Sequence, residues 1–339
     1  MKNNSLIGSV IFSNMKMRRP LVHLKPFHDS FTQSTTYDCE SDPDWRDGGH
    51  GQQDARIFEF LGKLFMIFNA RLQVKLPGTI CPENEIQRGL YISELKLDDS
   101  TGLIIGWKKP VKLKTEKSLN PKNLAERNWS PFVSNGQLYV SYGLDPHVVL
   151  RVDLETGYCE DFMEAKSLSL RIIRPILEDI AFRLQTKLPE NSHVLTHPLT
   201  RKLITVSPHG GTPIVRVPGR DYMLGILHIH YPGENENRIY VNYPYRMNPH
   251  KPFEIMEIGK ALPLNSTRPE KYENLSLNGP HYFKDNYPAD AEIAFASDIT
   301  VWEKEIGDVR VAVSYGAGDA VPRVFFISLD QLESRYFSG

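Results

Sequence analysis

The sequence predicts an all-β chain laid out as a five-bladed β-propeller with a helical insertion around residues 167–187, and three observations carry that expectation. Tight Gly-containing turns join pairs of apolar strands four times along the chain. Each pair is followed by a third alternating strand. The turn glycines Gly62, Gly136, Gly219 and Gly307 recur at intervals of 74, 83 and 88 residues. Apolar runs joined through Gly turns are hairpin signals. A repeat of this length exceeds the common propeller blades and suits blades carrying long loops.

Taken in order, the hairpins cover 56–68, 131–142, 213–227 and 299–315, and the third strands cover 89–97, 147–154, 238–243 and 322–329. Residues 1–50 offer a further blade, which makes five. A large β-sandwich with coincidental hairpins is the competing architecture. The one break in the β pattern spans 167–184, where Ile176, Ile180 and Leu184 recur at helical spacing and Pro175 suits a first helical turn. Packing on the propeller's side is its plainer role, and shaping the rim of a cleft its sharper one. Residues 263–288, rich in Asn, Pro and Lys, read as a long inter-blade loop. The whole of 1–339 is expected to form one domain.

Composition narrows the function classes. Of the 339 residues 40 % are hydrophobic, enough for one large core. The formal net charge of −1 gives no global attraction to nucleic acid or anionic membrane. Three cysteines (Cys39, Cys81 and Cys159), with no CxxC pair, argue against a disulfide framework or a structural zinc and for a reducing, cytoplasmic setting. The apolar stretch from Leu6 to Phe12 is broken by Gly8 and Ser9 and reads as a strand, not a signal peptide. No run has the length of a membrane span. Oligomeric state is left open.

In a propeller the innermost strand of each blade delivers its incoming loop to the central axis, so polar residues beside the hairpins are the candidates for chemistry. These are Asp54 and Arg56 before the first hairpin, and Arg127, Asn128 and Trp129 before the second. His209 precedes the third, whose outgoing strand carries His228 and His230, and Tyr315 and Asp319 follow the fourth. Such a set of acid, guanidinium, imidazole and phenol suits protonating a leaving oxygen while an anion is held. Each has a plainer reading. For Asp54 it is a hairpin cap or a pair with Arg56, for Arg127 a pair with Glu126, for His228 a satisfied core residue, and for Trp129 core packing instead of a sugar platform. No HExxH or clustered His/Asp spacing points to a metal, and no cofactor is implied.

Four segments in register resemble one family. Gln53-Asp54-Ala55-Arg56 opening a hairpin at Gly62 resembles the Glu-Asp-Pro-Arg motif of the glycoside hydrolase family 130 propellers. Arg127-Asn128-Trp129-Ser130-Pro131-Phe132 resembles their Arg-Asn/Asp…Phe-Pro segment, and Gly210-Gly211-Thr212-Pro213-Ile214 with Ile226-Leu227-His228 resembles Gly-Pro-Pro-Pro-Ile…Tyr-His. Phe295-Ala296-Ser297-Asp298 with Ser314-Tyr315-Gly316-Ala317-Gly318-Asp319 is similar to the closing segment. The resemblance runs from about residue 50 to the C-terminus. It implies a five-bladed propeller and metal-free inverting sugar transfer, as in β-mannoside phosphorylases and the related β-1,2-mannosyltransferases.

The resemblance further implies Asp54 as general acid. It implies Arg127, Asn128, His228, Tyr315 and Asp319 at the phosphate or donor site; His209 is a further candidate there from the residues alone, as Arg56, Trp129 and His230 are for the sugar. The partners it implies are an oligosaccharide acceptor and a sugar-phosphate or nucleotide-sugar donor. Gln53 and Ala55 depart from the first motif, and Thr205-Val206-Ser207 stands where the phosphorylases carry a phosphate-binding Lys. Both departures tilt the reading toward a transferase. A hydrolase on the same scaffold would need a second carboxylate about 6.5–9.5 Å from Asp54, with Asp319 or Glu292 as candidates. A catalytically silent carbohydrate-binding propeller is the third reading.

Overall fold

A computed structural model describes residues 6–8, 22–24, 53–72, 87–116, 128–164, 167–188, 190, 192, 194–199, 201–232, 238–264, 294–317 and 321–337. The chain is all-β, of the β-propeller class, with two α-helices among the described residues. It divides into two compact units: residues 1–127, 152–160 and 274–286, and the remainder.

In the first unit, β1 (Leu6–Gly8) and β2 (Val22–Leu24) pair as a short ribbon. The main sheet is an antiparallel meander of β3 (Gln53–Phe60), β4 (Lys63–Leu72), β5 (Gln87–Leu97) and β6 (Ile104–Trp107), with β7 (Val111–Lys112) also on β5. Its first turn places Leu61 and Gly62 at φ 52° and 72°. Positive φ at both central residues is the twist-matched geometry of a two-residue hairpin. Met66, Phe68, Tyr91, Leu95 and Ile104 form one buried cluster, and Phe68 stacks on both Tyr91 and Trp107.

Among the described residues, four more sheets follow along the chain. One is ordered β11-β10-β9-β8, from β8 (Ser130–Ser134), β9 (Gln137–Leu144), β10 (His147–Val152) and β11 (Cys159–Glu164). Helix α1 (Leu170–Arg183) and the two-stranded sheet of β12 (Val194–Thr196) and β13 (Leu203–Thr205) follow it. Next come β14 (His209–Gly210), β15 (Val215–Arg216), β16 (Met223–Pro232), β17 (Arg238–Met247) and β18 (Ile255–Ile258), ordered β14-β16-β17-β18 with β15 also on β16. The last sheet is β19 (Ala294–Glu305), β20 (Asp308–Ala317) and β21 (Val321–Ser328), followed by α2 (Leu329–Tyr336).

Four meander sheets thus stand among the described residues, against the five blades expected. Of residues 1–50 only the β1–β2 ribbon is described, and the rest of the blade expected there lies outside the described residues. The inter-blade loop expected at 263–288 lies, beyond Leu264, outside the described residues. Helix α1 starts at Leu170, earlier than Pro175 at a first turn would require, because Ile173 is drawn into the core with Ile176, Leu177 and Ile180. Pro175 therefore stands inside the helix, where its missing N–H removes one backbone bond.

Two seams hold neighbouring sheets of the second unit together. Ile214 N–H donates to the Pro131 carbonyl at 2.9 Å, beside a parallel bridge between Phe132 and Ile214. The second seam is a side chain. The Asn242 amide donates to the Ala294 carbonyl, and its oxygen accepts from the Ala296 N–H at 3.2 Å. Helix α2 is fastened by Glu333, which accepts from Arg220 at 2.9 and 3.0 Å and from the Tyr222 hydroxyl at 2.6 Å. The Arg246 guanidinium lies over the Tyr222 and Phe337 rings, 4.7 and 4.1 Å from their centroids.

His147 makes stability depend on pH. It is 1 % exposed, its Nε2 lies 3.1 Å from the Ser141 hydroxyl, and burial pushes its imidazole down to about 4. In an unfolded chain the same ring titrates near 6.5. As pH falls below that value the unfolded state binds a proton that the folded state refuses until about 4. Stability therefore drops across this window, by on the order of 3 kcal/mol for this ring, and the loss is complete below it. Urea midpoints at pH 7 and pH 4.5 should differ accordingly, and His147→Asn should narrow the difference.

Candidate active site

Two groups of the expected residues are described, one in each unit. In the first unit, β3 enters its hairpin through a bulge: Gln53 pairs with Asn69 but Arg56 with Ile67, leaving Asp54 and Ala55 opposite a single residue. Asp54 sits there at φ 53°. An aspartate tolerates this left-handed conformation better than most side chains, and bulges of this kind re-aim a side chain out of the ladder. Half-buried Asp54 accepts a hydrogen bond on Oδ2 from the Asn69 amide at 2.8 Å. Below it Arg56, with no exposed surface, donates from Nη1 to the Asp54 carbonyl at 2.9 Å. Arg56 thus fixes the bulge from inside and offers no face to a sugar in this structure.

In the second unit, three of the expected residues come together. His209 on β14 is the cross-strand partner of His228 on β16, and His230 is two residues further along the same face. The ring centroids of His209 lie 5.6 Å from those of both His228 and His230. Two residues that sequence reasoning missed complete the cluster. Tyr240, opposite His230 on β17, stacks on it at 5.6 Å, and Phe295 of β19 approaches His228 at 4.8 Å. His228 forms the floor at 2 % exposure; His209, Tyr240 and Phe295 are half-buried, and His230 is open to solvent. Burial, with the His230 imidazole beside it, pushes His209 down to about 4, so the ring is neutral at pH 7.

Gly210 explains how β14 fits here. A Cβ at this position would run into the Asn128 carbonyl oxygen and the Ser130 hydroxyl, so the strand passes this close only as glycine. Asn128 itself is half-buried at φ 63° and lies against the strand that carries His209. The rings are arranged face to face and do not converge on a point. No group of three or more His, Cys, Asp or Glu among the described residues is placed to hold a metal ion.

The other expected residues fall elsewhere. Trp129 is 1 % exposed and meets Tyr142 edge-on at 4.9 Å, a core position with no ring face free for a sugar. Tyr315 pairs with Ala296, next along the strand from Phe295, and packs in the apolar cluster of the last sheet with Val311 and Val313. No ring contact joins it to the histidines among the described residues. Arg127 and Asp319, together with Glu292, lie outside the described residues.

No protein-family model matches the sequence, and no curated protein matches it. Several solved structures do share similarity. A GDP-Man-dependent mannosyltransferase from Leishmania mexicana aligns at a TM-score of 0.43 and 12 % identity, over 83 % of this chain and 69 % of that one. A mannose phosphorylase from the same organism, in complex with a phosphate ion, gives 0.36 and 13 % over 85 % and 87 % of the two chains. An α-L-arabinanase from Cellvibrio cellulosa gives 0.39 and 7 % over 82 % and 73 %. The functional reading below rests on the residues themselves.

Proposed function

We propose that this chain is a carbohydrate-active enzyme that transfers a hexosyl group, β-mannosyl by its motif resemblance, with inversion. The donor is a sugar 1-phosphate or a nucleotide sugar and the acceptor an oligosaccharide. Asp54 is the general acid/base: in transfer it takes the proton of the acceptor hydroxyl as that oxygen bonds C1 and the phosphate-bearing leaving group departs, and in phosphorolysis it gives that proton to the departing glycosidic oxygen. His209, His228 and Asn128 serve the phosphate-bearing part of the donor, with Arg127 and Asp319 proposed for the same role. His230 serves the sugar. The whole chain acts as one catalytic domain, and its low, odd cysteine count supports a cytoplasmic setting. No helix among the described residues is long and apolar enough to cross a membrane.

The observation that carries this reading is the state of Asp54. Its backbone is held in a conformation that costs about 1–2 kcal/mol for an L-residue, at a bulge, with its carboxylate anchored by Asn69 and its carbonyl by a wholly buried arginine. Strain of this kind persists where the surrounding structure over-determines it, and such places are concentrated at functional sites. A residue that only capped a hairpin would need neither the bulge nor the buried guanidinium.

Incubation of an oligosaccharide acceptor with mannose 1-phosphate or with GDP-mannose, and of mannobiose with phosphate, separates transferase from phosphorylase. Product from GDP-mannose alone is the expected result, since the position of the phosphorylases' lysine is filled by Thr205-Val206-Ser207. Absence of product from all three donors would remove the reading.

A further inference from the structure

From the histidine cluster we infer that an oxyanion binding there enters together with a proton, which His209 carries. The inference rests on the donor-binding role proposed above. It concerns charge, which that role left open: a phosphate site is usually built from fixed cations, and the described part of this one is built from rings and an amide.

His209 lies between two other imidazoles at 5.6 Å, and strands β14 and β16, which carry all three, hold no Asp, Glu, Lys or Arg. The titratable groups facing it are His228 and His230 on β16 and Tyr240 on β17. Strand β9, which also adjoins β14, carries neither a carboxylate nor a cation, and the Asn128 and Ser130 groups beside Gly210 are neutral. Among the described residues no carboxylate forms an ion pair with His209. With its ring pushed down to about 4, His209 binds no proton at neutral pH in the free protein. A dianion placed against the cluster reverses the balance, because an opposite charge within hydrogen-bond reach favours the charged imidazole. Protonation also converts His209 from a ring with one N–H into one with two donors. The ligand thus creates the cation that holds it.

The sign follows from linkage. The complex holds more protons than its free components, so affinity rises as pH falls, by up to about tenfold per pH unit for one linked proton. The gain ends near pH 4, where free His209 is itself protonated.

Sulfate is the suitable probe, because it remains a dianion across this range while phosphate titrates. Titration calorimetry on the full chain between pH 5.5 and 7.5, in two buffers of different ionisation heat, counts the protons taken up. The expected result is uptake approaching one proton at the acid end and tightening affinity. In His209→Gln both the uptake and the pH slope should be lost. Imidazole NMR of the wild-type chain gives a second readout: sulfate should move the His209 ring signals to their protonated positions. Sulfate binding without proton uptake, uptake unchanged in His209→Gln, or no sulfate binding at any of these pH values would each overturn the inference. Proton-linked sulfate binding in a protein that turns over none of the donors would leave it standing and remove the glycosyl-transfer reading instead.

Discussion

Asp54→Asn should leave the fold intact and lower turnover about 10²–10⁴-fold, the range that a positioned general acid supplies. Two features of the bulge decide the structural half of this expectation. Asparagine is the residue that best tolerates a positive φ after glycine, so the value of 53° stays acceptable. Its side-chain oxygen can also still accept the 2.8 Å bond from Asn69. Asp54→Ala removes that acceptor, strands the Asn69 amide at 2 % exposure and keeps the unfavourable φ. It should cost about 1–3 kcal/mol in addition to activity. Thermal melts separate the two variants. The chemical half is checked with an acceptor that has no proton to give up, such as azide: the Asn variant should recover most of its rate there. An equal loss on both substrates would assign Asp54 to binding instead of proton transfer.

Gly210→Ala should be the most destabilising single methyl in the described chain around the histidines. The added Cβ meets the Asn128 carbonyl and the Ser130 hydroxyl at distances that real Cβ atoms never occupy. The serine can rotate, but a backbone carbonyl at the start of β8 cannot, so β14 must move away. Overpacking of this kind costs about 1–3 kcal/mol and occasionally more, and the upper end is expected because backbone meets backbone. Gly136→Ala is the natural comparison, since there a Cβ meets nothing and only the φ of 70° opposes it, at about 1 kcal/mol. Urea denaturation should rank the two in that order. His209 should also leave its place opposite His228, which a change in the two imidazole NMR signals would register.

The hairpins were legible because their signals are local. Leu61-Gly62 and Asn135-Gly136 sit between apolar runs, and both adopt the positive φ pair that the pattern asks for. The third hairpin was only half legible. Its first strand is cut into β14 and β15 by Gly211, Thr212 and Pro213; there Thr212 bonds through its side chain, and Pro213 has no N–H to give. The outer strands β6, β7, β11 and β18 are short and half-exposed, and they carry too little periodicity to read.

The shared face of His228 and His230 followed from a period of two. That of Tyr240 did not, because it depends on the register between β16 and β17, which sequence alone leaves free. The packing of Tyr315 had a legible signal. Val309, Val311, Val313, Tyr315 and Ala317 form one apolar row, and the parity of that row places the phenol in the core. Trp129 offered no such cue. An aromatic ring flanked by polar residues looks the same in sequence whether it stacks on a sugar or on Tyr142.

The amide of Asn242 carries a consequence for how this unit breathes. Within a sheet, strands are zipped by many equivalent backbone bonds, and the loss of one is shared among its neighbours. Between β17 and β19, the Ala296 N–H is instead guarded by the oxygen of a single side chain. Its exchange with deuterium is therefore timed by one rotamer and not by the opening of a ladder. That lone hydrogen is a clock for the parting of the two sheets, slow while the amide stays in place and fast once it turns away.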